Sequence, residues 1–156
     1  MSTAALELRE GDIRDLDRVD RVMAQAFDPR WGEAWTRNQM IGILAVPGVW
    51  LTIAELGGRT AGFALTRGVL DEAELLLLAV VPEMRRGGVG AALLRSVIAD
   101  CASRGIASLH LEVRDGNDAI KLYRNSGFSK VGERRDYYRG ADGHNYSALT
   151  LRRATR

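Results

Sequence analysis

Near the N-terminus, apolar residues follow two spacings, one typical of strands and one typical of helices. Leu6–Glu10 predicts a short first strand. From Ile13 to about Ala26 apolar residues return every three or four positions, which predicts a helix with Asp12 as its N-cap. The apolar face of this helix consists of Ile13, Leu16, Val19, Val22, Met23 and Ala26.

A second helix is indicated by a capping signature. Thr36 is followed three residues later by Gln39, the spacing of a capping box, and the predicted helix runs to Leu44. The loop between the two helices, residues 27–35, carries the aromatic residues Phe27, Trp31 and Trp35.

The middle of the chain has the pattern of consecutive strands. Val49–Leu56 and Thr60–Leu70 flank Gly57–Gly58, which predicts a hairpin. The apolar run Glu74–Val81 follows and barely alternates, as expected for a central strand that is covered on both faces.

The remaining segments complete an α/β pattern. A helix from Ala91 to Arg104 is followed by the alternating strand Ser108–Val113, and a short helix, Ala119–Ser126, ends at Gly127. Phe128–Tyr137 and Tyr146–Leu151 predict a last hairpin. The order β-α-α-β-β-β-α-β-α-β-β predicts an α/β fold with a mixed, mostly antiparallel sheet of about seven strands and four helices. Without repeats or linkers, residues 1–156 are expected to form one domain.

Charge and cysteine content narrow the functional classes. The chain has 22 basic and 20 acidic residues, too balanced to indicate general nucleic-acid binding, so no direct nucleic-acid partner is expected. The single Cys101 excludes an internal disulfide and fits a reducing compartment. Its apolar neighbours predict a buried structural thiol. The sequence has neither a signal-peptide pattern nor a membrane-spanning apolar run, so we expect a cytoplasmic protein without membrane contacts.

A basic glycine-rich loop separates the central strand from the third helix. In Arg85–Ala91, glycines allow a ligand to approach the backbone, the helix N-terminus presents free N–H groups, and arginines add positive charge. These features together predict a phosphate site. A dinucleotide fingerprint would need a glycine at Leu93, and a P-loop would need Gly-Lys-Ser/Thr, so neither motif is present.

The remaining motif is Arg-x-x-Gly-x-Gly, formed by Arg85, Gly88 and Gly90. It resembles the acetyl-CoA pyrophosphate loop of the GNAT N-acetyltransferases. The element order, Asn117 and the segment Leu122–Phe128 extend this resemblance over essentially the whole chain.

Within GNAT the chain is most similar to the RimI-type enzymes, which acetylate the N-terminal alanine of a small-subunit ribosomal protein. The segments that carry this similarity are Leu70–Leu75, Leu78–Pro82, Leu111–Arg114 and Arg134–Tyr138. The resemblance implies a GNAT fold, acetyl-CoA as co-substrate and a protein N-terminus, such as that of a ribosomal protein, as acceptor. We expect a monomer or a weak dimer.

The resemblance also assigns cofactor contacts. It places the pyrophosphate on the loop and the following helix, at Arg85, Arg86, Gly87, Gly88, Val89, Gly90 and Ala91. The backbone of Leu78, Ala79 and Val80 would pair with the pantetheine arm, Val80 N–H would serve the oxyanion, and Asn117 would contact the cofactor. Such pairing requires the strand before the loop to splay from the strand of Glu112. His110 and His144 lack partners at metal-ligand spacing, so no metal is expected.

Acetyl transfer from a thioester to an amine needs a base for the ammonium and an acid for the leaving thiolate. Glu112 is the candidate base, because it interrupts an apolar strand and shares a polar face with His110 and Arg114. Tyr123 is the candidate acid through its match to the family segment. The alternative for Glu112 is an outward-facing surface glutamate, and the alternative for Tyr123 is a core aromatic residue.

Four aromatic residues are candidate substrate contacts. By resemblance, the hairpin carrying Tyr137 and Tyr138 closes over a peptide N-terminus, while Trp31 and Trp35 form the opposite wall. Strand alternation predicts that at most one of the two tyrosines faces the substrate. Two other functions stay open: acetylation of a small-molecule amine, and a CoA-binding domain without turnover.

Overall fold

The computed structural model of the protein describes residues 5–85, 87–140 and 142–156. The strands in these ranges are β1 (Leu6–Gly11), β2 (Val49–Leu56), β3 (Arg59–Val69), β4 (Glu72–Val80), β5 (Ser108–Arg114), β6 (Ser129–Arg139) and β7 (Asn145–Ala154). The α-helices are α1 (Leu16–Ala26), α2 (Arg37–Leu44), α3 (Val89–Ser103) and α4 (Ala119–Asn125). Short 3₁₀ turns cover Ile13–Asp15, Pro29–Trp31 and Pro82–Met84.

The strands form a single sheet in the order β1-β2-β3-β4-β5-β7-β6. Neighbouring strands are antiparallel except for β4 and β5, which are parallel. The order of the strands and α-helices along the chain is the predicted one. The expectation of a mixed, mostly antiparallel α/β fold is therefore confirmed.

Apolar side chains form a buried core on each face of the sheet. One core joins α1 and α2 to the sheet through residues such as Val19, Met40 and Phe63. The other joins α3 to the sheet and includes Leu93 and Cys101. Burial, followed by the nearby Asp100 charge, raises the pKa of the Cys101 thiol to about 11. This confirms the predicted structural thiol, because a buried thiol that stays protonated is a poor nucleophile.

The first predicted helix is wrong at its start. Ile13 lies in a separate 3₁₀ turn and is 51% exposed, so it does not belong to the apolar face. The Asp12 side chain accepts a hydrogen bond from the backbone N–H of Asp15, and the Asp15 side chain accepts one from the N–H of Asp12. The two residues thus form a capping box. Asp15 is buried and binds Arg9 of β1, with Arg9 Nη2 2.6 Å from its Oδ1. Because this turn is fixed to β1, the α-helix begins only at Leu16.

The second capping box is confirmed. Thr36 Oγ1 accepts from the N–H of Gln39 at 3.1 Å, and Gln39 Oε1 accepts from the N–H of Thr36 at 2.7 Å. The third helix begins at Val89, two residues earlier than predicted, because the glycine loop itself supplies its first turn. Among the described helices, none is long and apolar enough to cross a membrane.

The central strand β4 contains a β-bulge that opens the sheet. Leu65 of β3 lies opposite Leu77, and Thr66 lies opposite Leu75, so Leu76 is an extra residue. Leu75 and Leu77 consequently pack into the two different cores, although two residues apart in a regular strand would share a face. A bulge bends and twists its strand. The described strands β4 and β5 pair over three residues only, Glu72–Glu74 with Ser108–His110, and then separate.

Candidate active site

The separation of β4 and β5 creates a cleft of about 1600 Å³. Leu75–Val80 and Leu111–Arg114 line its two sides, and the start of α3 lies at one end. The loop 26–35, α4 and the β6–β7 hairpin complete the walls. Single small-molecule sites usually enclose roughly 300–1000 Å³, so this cleft has room for more than one ligand.

The backbone of β4 presents hydrogen-bonding groups to the cleft. Val81 N–H donates to Ala61 O of β3 at 2.9 Å. Because successive peptide groups of a strand point to opposite sides, the N–H and C=O of Val80 and Leu78 face the cleft. The carbonyl of Ala79 instead lies against Gly62 of β3. Ala79 also lines the cleft, so its contact with the cofactor stays a prediction, although its carbonyl faces β3.

The glycine loop supplies a second set of free donors. Gly88 is the N-cap of α3 and has φ +80°, a conformation that favours glycine. The N–H groups of Val89, Gly90 and Ala91 belong to the first helical turn, where no intrahelical acceptor exists. At Gly90 a β-carbon would lie 3.1 Å from Leu122 Cδ2, so glycine allows close packing of α3 against α4. The predicted contact of Arg86 lies outside the described residues.

Two loop residues have local partners. Arg85 Nη2 donates to Ala26 O at 2.6 Å, and its Nε donates to Val80 O at 3.2 Å. The side chain thus ties the loop to the end of α1. The N–H of Gly87 donates to Met84 O at 3.4 Å, in a turn before the helix. Arg85 still lines the cleft and brings positive charge there.

Glu112 and Tyr123 line the same cleft. The Glu112 side chain is 28% exposed, and its Oε2 lies 3.7 Å from Nε of Arg134 on β6. Glu112 and Arg114 face the cleft as predicted for the polar side of β5. His110 pairs with Glu74 where the two strands are still joined, and is not among the residues that line the cleft.

Tyr123 is buried in α4 and contacts Phe128 edge-on, with 5.8 Å between ring centroids. It thus combines the two roles that were weighed for it, a core aromatic ring and a phenol at the cleft. Burial, with a smaller contribution from Glu33, raises the pKa of Tyr123 well above that of a free phenol. The hydroxyl therefore keeps its proton at neutral pH.

Asn117 lies at the cleft between β5 and α4. Its Oδ1 accepts from Ala119 N–H at 2.9 Å, so the side chain caps the start of α4. This leaves the Asn117 amide nitrogen for a cofactor contact.

Both Tyr137 and Tyr138 line the cleft, and that at most one of them contacts the substrate stays a prediction. The β6–β7 register shifts between Arg134 and Tyr138, and Asp136 has φ +54°. This irregularity interrupts the alternation and places the two rings edge-to-face, 5.2 Å apart. Tyr137 is 53% exposed, whereas Tyr138 is half-buried.

Trp31 and Trp35 line the cleft from the α1–α2 loop. Trp31 also contacts the hairpin directly, since its ring meets Tyr146 edge-on at 4.9 Å. The α1–α2 loop and the β6–β7 hairpin are therefore in direct contact and do not form two separate sides of the cleft. Gly140 permits this contact, because a β-carbon there would lie 3.1 Å from both rings.

The cleft residues that were not predicted include Glu33, Arg114 as a binding group, and Tyr146. Arg114 is buried, stacks over the ring of Trp31 at 3.7 Å, and has an Nε without a hydrogen-bond partner among the described residues. Its Nη2 lies 4.0 Å from Oε1 of Glu33. The sequence signal was a glutamate placed between two tryptophans in the loop.

The described residues contain no group of three or more His, Cys, Asp or Glu side chains arranged to hold a metal ion. The polar groups of the cleft are instead backbone donors at one end and carboxylates and phenols at the other. The first set suits a phosphate and an amide-containing chain, and the second suits an amine.

Residues 16–128 match the profile of the acetyltransferase (GNAT) family. The chain is 48% identical over 87 residues to the ribosomal protein bS18-alanine N-acetyltransferase of Escherichia coli strain K12, covering 55% of this chain and 59% of that protein. The enzyme of the same name from Haemophilus influenzae is 38% identical over 90 residues, which cover 58% and 62% of the two chains. The match thus spans about three fifths of these curated relatives.

A solved structure agrees over a greater length. The crystal structure of the ribosomal-protein-S18-alanine N-acetyltransferase from Escherichia coli superposes with a TM-score of 0.87 and is 31% identical. The alignment covers 97% of this chain and 94% of that chain. The profile match and this near-complete structural relative show that the chain belongs to the GNAT acetyltransferase family.

Proposed function

We propose that the protein transfers the acetyl group of acetyl-CoA to the α-amine of a protein N-terminus. The observation that carries this proposal is that Glu112 and Tyr123 line the same cleft as the open edge of β4 and the start of α3. By analogy with the relatives, the acceptor is the N-terminal alanine of ribosomal protein bS18.

The cleft suits both parts of the co-substrate. The pyrophosphate would be bound by the N–H groups of residues 89–91 and by the positive end of the α3 dipole. The amide-containing pantetheine arm would then pair with the cleft-facing groups of Leu78 and Val80, as an added strand would. The bound co-substrate supplies an activated acetyl thioester.

The acceptor amine reaches the cleft mostly as an ammonium, because its pKa is roughly 8. Glu112 takes up the proton directly or through a water molecule. The neutral nitrogen then forms a bond to the acetyl carbon while the carbon–sulfur bond breaks, and the nitrogen, now positively charged, releases a second proton to solvent. The sulfur leaves as a thiolate that needs a proton, and the group that supplies this proton is reprotonated from solvent.

Tyr123 is the proton donor in this scheme. A phenol is a weaker acid than a thiol by about 1.5 pKa units in water, and burial of Tyr123 widens this gap. The thiolate would form beside the buried Tyr123, where desolvation also raises its affinity for a proton. Both groups experience the same environment, so transfer over a short distance stays feasible.

The hairpin favours a peptide over a free amine. Tyr137 and Tyr138 both face the cleft, and the exposed Tyr137 offers a surface for residues that follow the acceptor's first. A small amine would leave this surface unused.

The test is acetyl-CoA turnover, measured by release of free thiol, with two peptides. One begins Ala-Arg with a free N-terminus, and the other has the same sequence, a blocked N-terminus and an internal lysine. We expect turnover of the first peptide only. Turnover of neither, with acetyl-CoA still bound, would contradict the proposal and direct the search to small-molecule amines.

A further inference from the structure

Two glutamates line the cleft, and they come from different parts of the fold. Glu112 comes from β5, whereas Glu33 comes from the α1–α2 loop and has a side chain that is only 21% exposed. Tyr138 lines the same cleft, and burial, followed by the charges of Glu112 and Glu33, raises the pKa of its phenol. The proposed mechanism uses Glu112 and leaves Glu33 without a role.

Glu33 is a half-buried carboxylate whose charge is only weakly compensated by Arg114. Arg114 Nη2 is 4.0 Å from Oε1 of Glu33, beyond hydrogen-bonding distance, and the guanidinium stacks instead on the face of Trp31. Burial raises the pKa of Glu33, Arg114 opposes this shift, and Asp28 adds to it. A partly desolvated carboxylate gains from a cation that can also donate hydrogen bonds.

We propose that Glu33 binds the α-ammonium group of the acceptor, with Arg114 holding it in position at the cleft. Glu33 is then a specificity residue for a cationic amine, distinct from the base Glu112. This inference rests on the proposed acceptor class. It also gives a role to the buried Arg114 near Glu33. This β5 residue contacts the rings of Trp31 in the loop and Tyr146 in β7.

The charge on Glu33 makes binding depend on pH. The titratable and charged groups around this carboxylate are Arg114, Asp28, Tyr123 and Tyr138. Because the pKa of Glu33 is raised, the carboxylate is neutralised at a higher pH than an ordinary glutamate. The affinity for the amine should therefore be present above this raised pKa and be lost as the pH falls through it.

The experiment compares two ligands and three proteins by calorimetric titration in the presence of CoA, which prevents turnover. The ligands are a peptide beginning with alanine and the same peptide with a lactyl group, which replaces the ammonium by a hydroxyl. Wild-type protein should bind the amine at least about tenfold more tightly, as expected for a hydrogen-bonded charge pair. Glu33→Gln, nearly equal in shape, should bind both ligands alike.

Glu133→Gln is the matched control, because it removes the same charge from β6 outside the cleft and should keep the preference. In turnover, Glu33→Gln should raise KM for the peptide with little change in kcat. A preserved tenfold preference in Glu33→Gln, or a loss confined to kcat, would overturn the proposal. Failure of the proposed function itself would look different, because the wild-type protein would then bind neither peptide.

Discussion

At the scale of single residues, the chemistry depends on a few polar groups of the cleft. Glu112 interrupts the apolar alternation of β5, and this pattern together with the family resemblance selected it from the sequence. Tyr123 needed the family segment, since a buried tyrosine is most often a core residue. In the structure Tyr123 packs on Phe128 and also lines the cleft, and its role as the acid stays a prediction.

Replacing Glu112 by glutamine tests the base directly. General bases typically accelerate a reaction by about 10²–10⁴-fold, so Glu112→Gln should lower kcat by a factor in this range. The variant should also lose the dependence of kcat on pH that the carboxylate causes, while its affinity for acetyl-CoA stays close to that of wild type. A kcat that is unchanged across pH would remove Glu112 as the base.

Glu33 and Arg114 show the limit of prediction at this scale. Glu33 lies in an irregular loop, where no periodic pattern indicates which side chains turn inward. Arg114 belonged to the predicted polar face of β5, but its stacking on Trp31 depends on a contact between distant segments. Such long-range contacts leave no local pattern in the sequence.

At the scale of elements, the unit formed by β4, the glycine loop and α3 could be predicted, because each of its parts has a local pattern in the sequence. Gly88 has a positive φ, and the predicted helix follows it directly. The hairpin was less predictable. The irregular stretch before Tyr138 depends on Asp136 at φ +54°, a conformation that its residue type tolerates but does not signal.

Gly88→Val tests the loop. A β-branched residue at φ +80° is strained although no atom lies within 4 Å of the added β-carbon, so the backbone would leave the conformation that opens α3. A strain of about 1–2 kcal/mol corresponds to a loss of acetyl-CoA affinity of roughly 5–30-fold, measured by calorimetry.

Gly58 provides the matched control for this substitution. It has φ +78°, also has no atom within 4 Å, and lies in the β2–β3 turn. Gly58→Val should lose a similar amount of thermal stability and keep full affinity for acetyl-CoA. Equal affinity in the Gly88 variant would mean that the pyrophosphate binds elsewhere.

At the scale of the whole molecule, the sheet consists of two parts joined by a short seam. Strands β1–β4 form one part and β5–β7 the other, and three residue pairs connect β4 to β5. The element order predicted the strands of both parts. The bulge at Leu76 that separates them was not foreseen, because the run of leucines does not indicate where an extra residue lies.

A ligand that fills this opening should stabilise the whole fold. At 100 times its dissociation constant, acetyl-CoA would add about 2.7 kcal/mol to the free energy of unfolding. For a chain of this size that corresponds to an increase in Tm of roughly 5–10 °C, measured by scanning calorimetry. The Gly88→Val variant at the same ligand concentration should show a smaller increase. An unchanged wild-type Tm would be inconsistent with a ligand bound to the native cleft.

The bulge in β4 also determines which substitutions the protein can tolerate. The groups that Leu78 and Val80 offer to the cleft are peptide N–H and C=O groups, which every residue except proline possesses in full. Their side chains can therefore be exchanged for other apolar residues of similar volume without altering these donors and acceptors. Mutational drift along this strand is thus limited by packing and by the position of the extra residue, and very little by the ligand itself.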